Sequence, residues 1–129
     1  MTVLYLDLEE IKAVHQVLIE RYGGEPGVLS RSQLESCVAT PRQSVFKQEL
    51  YPKVSDKAAV YLFSFATGHS FRDGNKRIAT WCCLQFLDIN GYRLDLKKNV
   101  VEELVIDVVK RLVILTELQD ILFNNVHEK

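Results

Sequence analysis

The run Lys57-Ala-Ala-Val-Tyr-Leu-Phe-Ser-Phe-Ala-Thr67 is apolar nearly all round. A helix that faces water carries a polar stripe, and one without a stripe belongs in the middle of a bundle. The run is predicted as a helix from about Ser55 to Gly68, so the rest of the chain has to supply helices that cover it. The flanking sequence offers them. Asp7-x-x-Glu10 reads as a capping box opening a helix with Leu8, Ile11, Val14, Leu18 and Tyr22 on one face, ended by Gly23-Gly24. Ser30-x-x-Gln33 caps a short helix from Arg31 to Ala39, stopped by Thr40-Pro41. Arg42 to Pro52 has no helical period and suits a loop or a small β-hairpin. A fourth helix is expected from about Asn75 to Asn90, with Gly91 as its stop. Asn99-x-x-Glu102 reads as the cap of a fifth, carrying Val101, Leu104, Val105, Val108, Val109 and Leu112. Its β-branched residues lower helix propensity, but their spacing is nearer 3.6 than 2. Thr116-x-x-Gln119 reads as the start of a last short helix to about Asn124. The expectation is an all-α bundle, one domain over residues 1–129.

Composition narrows the function classes. The chain has 129 residues and a formal net charge of -1, without the basic excess of a nucleic-acid binder. The first residues, Met-Thr-Val-Leu-Tyr-Leu-Asp, show no signal-peptide pattern, and no apolar run approaches the roughly 20 residues of a membrane span. Three cysteines, two of them adjacent (Cys37, Cys82 and Cys83), do not suit a disulfide framework. Cys82-Cys83 has no Cys/His pair at zinc-binding spacing, so buried core thiols are expected. A cytoplasmic location follows as the expectation.

Chemistry concentrates in His69-Ser-Phe-Arg-Asp-Gly-Asn-Lys-Arg77, directly before the fourth helix. A helix N-terminus leaves backbone N–H groups unpaired and favours anions. Gly74 lets the backbone come close to a phosphate, and Asn75 can cap the helix or donate from its amide. Lys76 and Arg77 oppose the helix dipole in the first turn unless an anion answers them. Asp73 is a hard oxygen ligand suited to Mg²⁺ bridging phosphates. His69 can take a proton from an incoming hydroxyl. Phe71, between polar neighbours, is expected to plunge into the core and pin the loop. Each residue alone has an ordinary structural reading, but nine residues holding all of them favour a phosphate-handling site. Elsewhere, His15 and His127 are expected to be structural or solvent-exposed. Lys97-Lys98 suit a solvated turn, Glu102-Glu103 a helix first turn, and Trp81 and Phe86 the core.

The stretch resembles the signature of the Fic/Doc family, His-Pro-Phe-x-(Asp/Glu)-Gly-Asn-Gly-Arg-x-x-Arg, over His69 to Thr80. Arg21 to Gly27, Leu34 to Val38, Lys57 to Ala59 and Phe86 to Gly91 also resemble blocks of its Doc (death-on-curing) toxin branch, in the same order. The resemblance implies a Fic/Doc-type helical bundle with a flap at about Gln43 to Tyr51 that holds a target peptide by strand-like pairing. It implies His69 as general base, Asp73 as Mg²⁺ ligand, Gly74 and Asn75 lining an anion hole, and Lys76 and Arg77 holding nucleotide phosphates. Ser70 replaces the Fic proline, Lys76 its second glycine and Thr80 its final arginine. The last two changes weaken the pose used for transferring AMP, are shared with Doc proteins, and imply a Doc-type kinase. The implied function is a type II toxin that phosphorylates a hydroxyl of a translation protein, elongation factor Tu by resemblance, from ATP-Mg²⁺. The implied partners are a cognate antitoxin and that protein acceptor, with no direct nucleic acid and no membrane. The inhibitory-helix pattern (Ser/Thr)-x-x-x-Glu-(Gly/Asn) is absent, which points to restraint by the antitoxin. Adenylyl or other nucleotidyl transfer and a non-enzymatic antitoxin-binding subunit are the alternatives.

Overall fold

The apolar segment does become the central helix. In a computed structural model, which describes residues 2–129, helix α3 (Val54–Thr67) buries nine of its fourteen residues. Around it come α1 (Leu8–Tyr22), α2 (Arg31–Ala39) with a following 3-10 turn at Thr40–Arg42, and α4 (Asn75–Ile89). Helices α5 (Lys98–Val109) and α6 (Leu115–Asn125) complete the bundle. Helices α2, α4, α5 and α6 pack against α3, and α1 packs on α4. Tyr61, Leu62 and Phe65 of α3 meet Ile78, Cys82, Phe86 and Leu87 of α4 in the core, with Leu118 and Leu122 from α6. The three thiols are free and buried, as expected. No helix among the described residues is long and apolar enough to cross a membrane.

Helix ends follow the expected pattern in part. The Ser30 side chain accepts a hydrogen bond from the Gln33 N–H (3.2 Å), a true N-cap. Asp7 is the N-cap residue of α1 by backbone position, but its side chain makes no capping bond. The two later caps are displaced. Helix α5 starts behind Lys97, whose carbonyl accepts from Val100 and Val101, so Asn99 lies inside the first turn. Helix α6 starts behind Ile114, whose N–H donates to Glu117 Oε1 (3.0 Å), so Thr116 lies inside as well. Glutamate reaching back to the backbone supplies one arm of a capping box without the hydroxyl that marks the motif in a sequence.

Two small antiparallel ladders accompany the helices. Strands β3 (Tyr92–Leu94) and β4 (Val126–Glu128) tie the end of the chain back to the end of α4, and place His127 opposite Arg93. Strands of three residues are too short for alternation to mark them in the sequence, which is why His127 reads as part of a polar tail.

The other ladder is the hairpin before α3, strands β1 (Ser44–Val45) and β2 (Gln48–Glu49). Its turn residues Phe46 and Lys47 both have left-handed backbone (φ 52° and 67°), and Phe46 is 95% exposed. Each such residue costs on the order of 1–3 kcal/mol, and a lone two-stranded hairpin is marginal in water. Lys57 supplies the anchor. Its fully buried ammonium donates to the carbonyls of Tyr51 (2.6 Å) and Pro41 (3.3 Å) and to Glu49 Oε1 (2.9 Å), using all three of its donors. The hairpin is thus bolted to the central helix at both ends.

Lys57→Met should lower unfolding stability by about 2–4 kcal/mol, since it takes the donor from two carbonyls at the base of the hairpin. Amide exchange should show protection lost first at residues 44–50, and unchanged protection there would contradict the anchoring role. Alkaline pH should act through Tyr61, whose buried phenol accepts from the Leu6 N–H (3.1 Å). Burial pushes its pKa up from 10.0 to about 12. The folded pKa lies above the unfolded one, so the stabilisation is full below pH 10.0 and is lost as pH rises towards about 12. Denaturation midpoints followed across that window should fall, and Tyr61→Phe should flatten the fall.

Candidate active site

Residues 68–74 form the connection between α3 and α4, and its shape is set from below. Phe71 is buried in the core, as its apolar character between polar neighbours demands. Asn75, the first residue of α4, clamps it: Phe71 N–H donates to Asn75 Oδ1 (3.1 Å), and Asn75 Nδ2 donates to the Phe71 carbonyl (2.9 Å). The Asn75 amide is therefore spent on building the loop. What stays available for an anion is the backbone: helical geometry leaves the N–H groups of Asn75, Lys76 and Arg77 without intrahelical acceptors. The first bond of the helix runs from Ile78 N–H to the Gly74 carbonyl (3.0 Å).

A second strand of chain braces the loop from the side. Arg72 N–H donates to Gly27 O, and Leu29 and Ser30 N–H both donate to Ser70 O, around a bridge between Val28 and Phe71. At its far end the Glu25 N–H donates to Asp73 Oδ2 at 2.7 Å. One Asp73 oxygen is oriented in this way. Gly24 is required there, because a Cβ would stand 3.0 Å from Asp73 Cβ, and its φ of +114° suits glycine alone. Beneath the loop, Ser70 is buried with its Oγ 3.5 Å from Cys37 Sγ. Burial pushes the Cys37 thiol pKa up, so it stays neutral and unsuited to nucleophilic work.

The ionisable side chains that the motif singled out all face outward. His69 is exposed, makes no hydrogen bond among the described residues, and has left-handed backbone (φ 52°). Strain of this kind gathers where a side chain has to be presented. Asp73, Lys76 and Arg77 are exposed as well. The Arg77 guanidinium lies 4.8 Å from the ring centroid of Tyr22, at the end of α1, which steers a flexible cation. Thr80 turns its hydroxyl back to the Lys76 carbonyl (3.0 Å). The structure thus brings together all six residues singled out by the motif: His69, Asp73, Gly74, Asn75, Lys76 and Arg77. His127 lies in β4 and Glu102-Glu103 in α5, outside this arrangement.

Sequence reasoning missed the supports. His15 is buried on α1, with Nε2 2.7 Å from the Asp73 carbonyl and its ring stacked on Phe71 (centroids 3.7 Å, 12° between planes). The signal available was a polar residue at helical spacing between two apolar ones, Ile11 and Ile19. Tyr22 and Glu25 are legible in the sequence as part of the Arg21 to Gly27 block, without the contacts they make here.

Chemically, an exposed imidazole, a half-oriented carboxylate, free helix-start N–H groups and two cations make an open shelf for a phosphorylated ligand. Comparison with known proteins places the chain in a family. Residues 5–87 match the model of the Fic/DOC family. The chain is 37% identical over 109 residues to "Toxin Doc" of Mycolicibacterium smegmatis, covering 83% of this chain and 82% of that protein. It is 34% identical over 90 residues to "Protein kinase doc" of Escherichia phage P1, covering 70% and 71%. With the helical bundle, the hairpin and the motif loop in place, the chain belongs to the Fic/Doc family, on its Doc toxin branch.

Proposed function

We propose that this chain is the toxin of a toxin–antitoxin module, and that it transfers a phosphoryl group from ATP-Mg²⁺ to a hydroxyl of a protein. A translation factor, elongation factor Tu by resemblance, is the proposed acceptor. The names of its relatives, a toxin and a kinase, support the reading. The observation that carries it is the outward face of the first turns of α4. Lys76 and Arg77 are exposed there, while Thr80, at the place of the Fic signature's final arginine, has its hydroxyl bound to its own helix. Two cations and no second bidentate clamp suit holding a polyphosphate by its end more than fixing an α-phosphate for nucleotidyl transfer.

Roles follow from position. The acceptor hydroxyl gives its proton to His69 as its oxygen bonds the γ-phosphorus; the bond to the β,γ-bridging oxygen breaks and ADP leaves. Lys76, Arg77 and the helix-start N–H groups offset charge on the phosphates, an interaction strengthened where water is excluded. Asp73 fits Mg²⁺, with one oxygen held by the Glu25 N–H and the other open. Among the described residues no group of three or more His, Cys, Asp or Glu could hold a metal by itself, which suits an ion shared with phosphates. Bound there, Mg²⁺ would neutralise phosphate charge. The hairpin at residues 44–49 is proposed as the flap for the acceptor peptide, and a cognate antitoxin as the restraint on toxicity.

Incubation of a bacterial extract with the protein and labelled ATP tests the group transferred. Label retained from the γ position is expected, and label retained only from the α position would make the protein a nucleotidyl transferase. His69→Ala should slow transfer by about 10²–10⁴-fold. Its unfolding midpoint should stay near that of the wild type, because the side chain is exposed and unbonded. Growth inhibition that survives His69→Ala would instead support a non-enzymatic antitoxin-binding subunit.

A further inference from the structure

We infer that His15 is a positioning residue of the phosphate site, holding the Asp73–Gly74 peptide in the orientation that turns the Gly74 N–H outward. The inference rests on the part of the reading above that puts a nucleotide's phosphates at this helix start.

A carbonyl oxygen can only accept, so the 2.7 Å contact to Asp73 O requires that His15 Nε2 carries the proton. The imidazole has little freedom to be elsewhere. It is 2% exposed, and its ring lies flat against Phe71, itself pinned by Asn75. An imidazole in the stripe formed by Ile11 and Ile19 costs desolvation unless it is bonded, and Asp73 O is the bond it makes.

The consequence passes through one peptide unit. No peptide bond among the described residues is cis. In a trans peptide C=O and N–H point in opposite directions, so drawing the Asp73 carbonyl inward turns the Gly74 N–H away from the core. Gly74 is left-handed (φ 77°, ψ 15°) and Asn75 after it is helical. Neighbouring residues of opposite hand align their N–H groups into an anion-binding concavity. The Gly74 N–H thereby joins those of Asn75, Lys76 and Arg77.

A lock is needed because glycine makes the alternative cheap. Gly74 accepts either sign of φ, so this peptide could turn over and present its carbonyl to the phosphate instead. A larger residue is poorly accommodated, since a Cβ would stand 3.3 Å from both His15 Nε2 and Ile19 Cδ1. His15 reaches the ligand only through this peptide, and its proton is held, not transferred.

The test uses ¹⁵N-labelled full-length protein titrated with ATP-Mg²⁺, with His15→Phe and His15→Gln as variants. Phenylalanine keeps a ring against Phe71 without the donor; glutamine keeps a donor. In the wild type the amide signals of Gly74 to Arg77 should all shift. His15→Phe should bind about tenfold more weakly or worse, the cost of one charge-assisted hydrogen bond, and its Gly74 amide should stop responding. His15→Gln should recover much of both. Wild-type affinity and a wild-type Gly74 response in His15→Phe would overturn the inference. So would a wild-type Gly74 amide that stays still while those of Lys76 and Arg77 move, a result that needs no variant to fold. If none of the four amides responds in the wild type, the nucleotide reading fails and the inference with it. If they respond but no protein is labelled, phosphoryl transfer fails and the inference stands.

Discussion

Because α3 lacks a polar face, α4 has to lie along it, and that packing fixes both ends of the connection at residues 68–74. A seven-residue connection held at both ends has little choice of path, and Phe71 removes most of what is left by entering the core. The chemistry-bearing residues then fall outward almost by default. His69 and Asp73 flank the buried phenylalanine, and Lys76 and Arg77 ride on the first turn of a helix that cannot rotate without tearing Ile78, Cys82 and Phe86 from the core. The outer layer of the motif is therefore largely free of packing duties, since its inner layer carries them.

A division follows between residues left exposed and residues that hold the loop. Phe71, Asn75, the Gly24-Glu25 segment and His15 use their hydrogen bonds and buried area on the loop itself. His69 uses neither and sits in a strained backbone state. The hairpin repeats the scheme on a smaller scale. Its tip is strained and exposed, and its base is gripped by a lysine with no exposed surface. In both places strain at the working end is offset by satisfied polar groups beneath it.

The helices, the centrality of α3 and the six motif residues were legible because they rest on local signals: apolar period, glycine stops and the clustering of unusual residue types. Legibility failed where the deciding partner is distant. The caps of α5 and α6 moved because Lys97 and Ile114, without capping side chains, serve as N-caps by backbone geometry. The β3–β4 ladder depends on a pairing between Tyr92–Leu94 and Val126–Glu128 that neither strand announces. Nothing local marks Lys57 as buried; it is, because the carbonyls of Pro41 and Tyr51 come to meet it. Asn75 reads from the sequence as a helix cap or an amide donor to an anion, and its side chain bonds the Phe71 backbone. His15 reads from the sequence only as structural or solvent-exposed, because its partner, the Asp73 carbonyl, lies 58 residues away.

The central claim is that the start of α4, with the loop before it, is where a nucleotide's phosphates rest. A crystal structure of the His69→Ala protein soaked with ATP and Mg²⁺ tests it most directly. The account predicts phosphate oxygens within hydrogen-bonding distance of the backbone N–H groups of residues 74–77, with Asp73 on the metal and Lys76 and Arg77 alongside. Nucleotide density elsewhere, with these N–H groups turned to solvent, would contradict it.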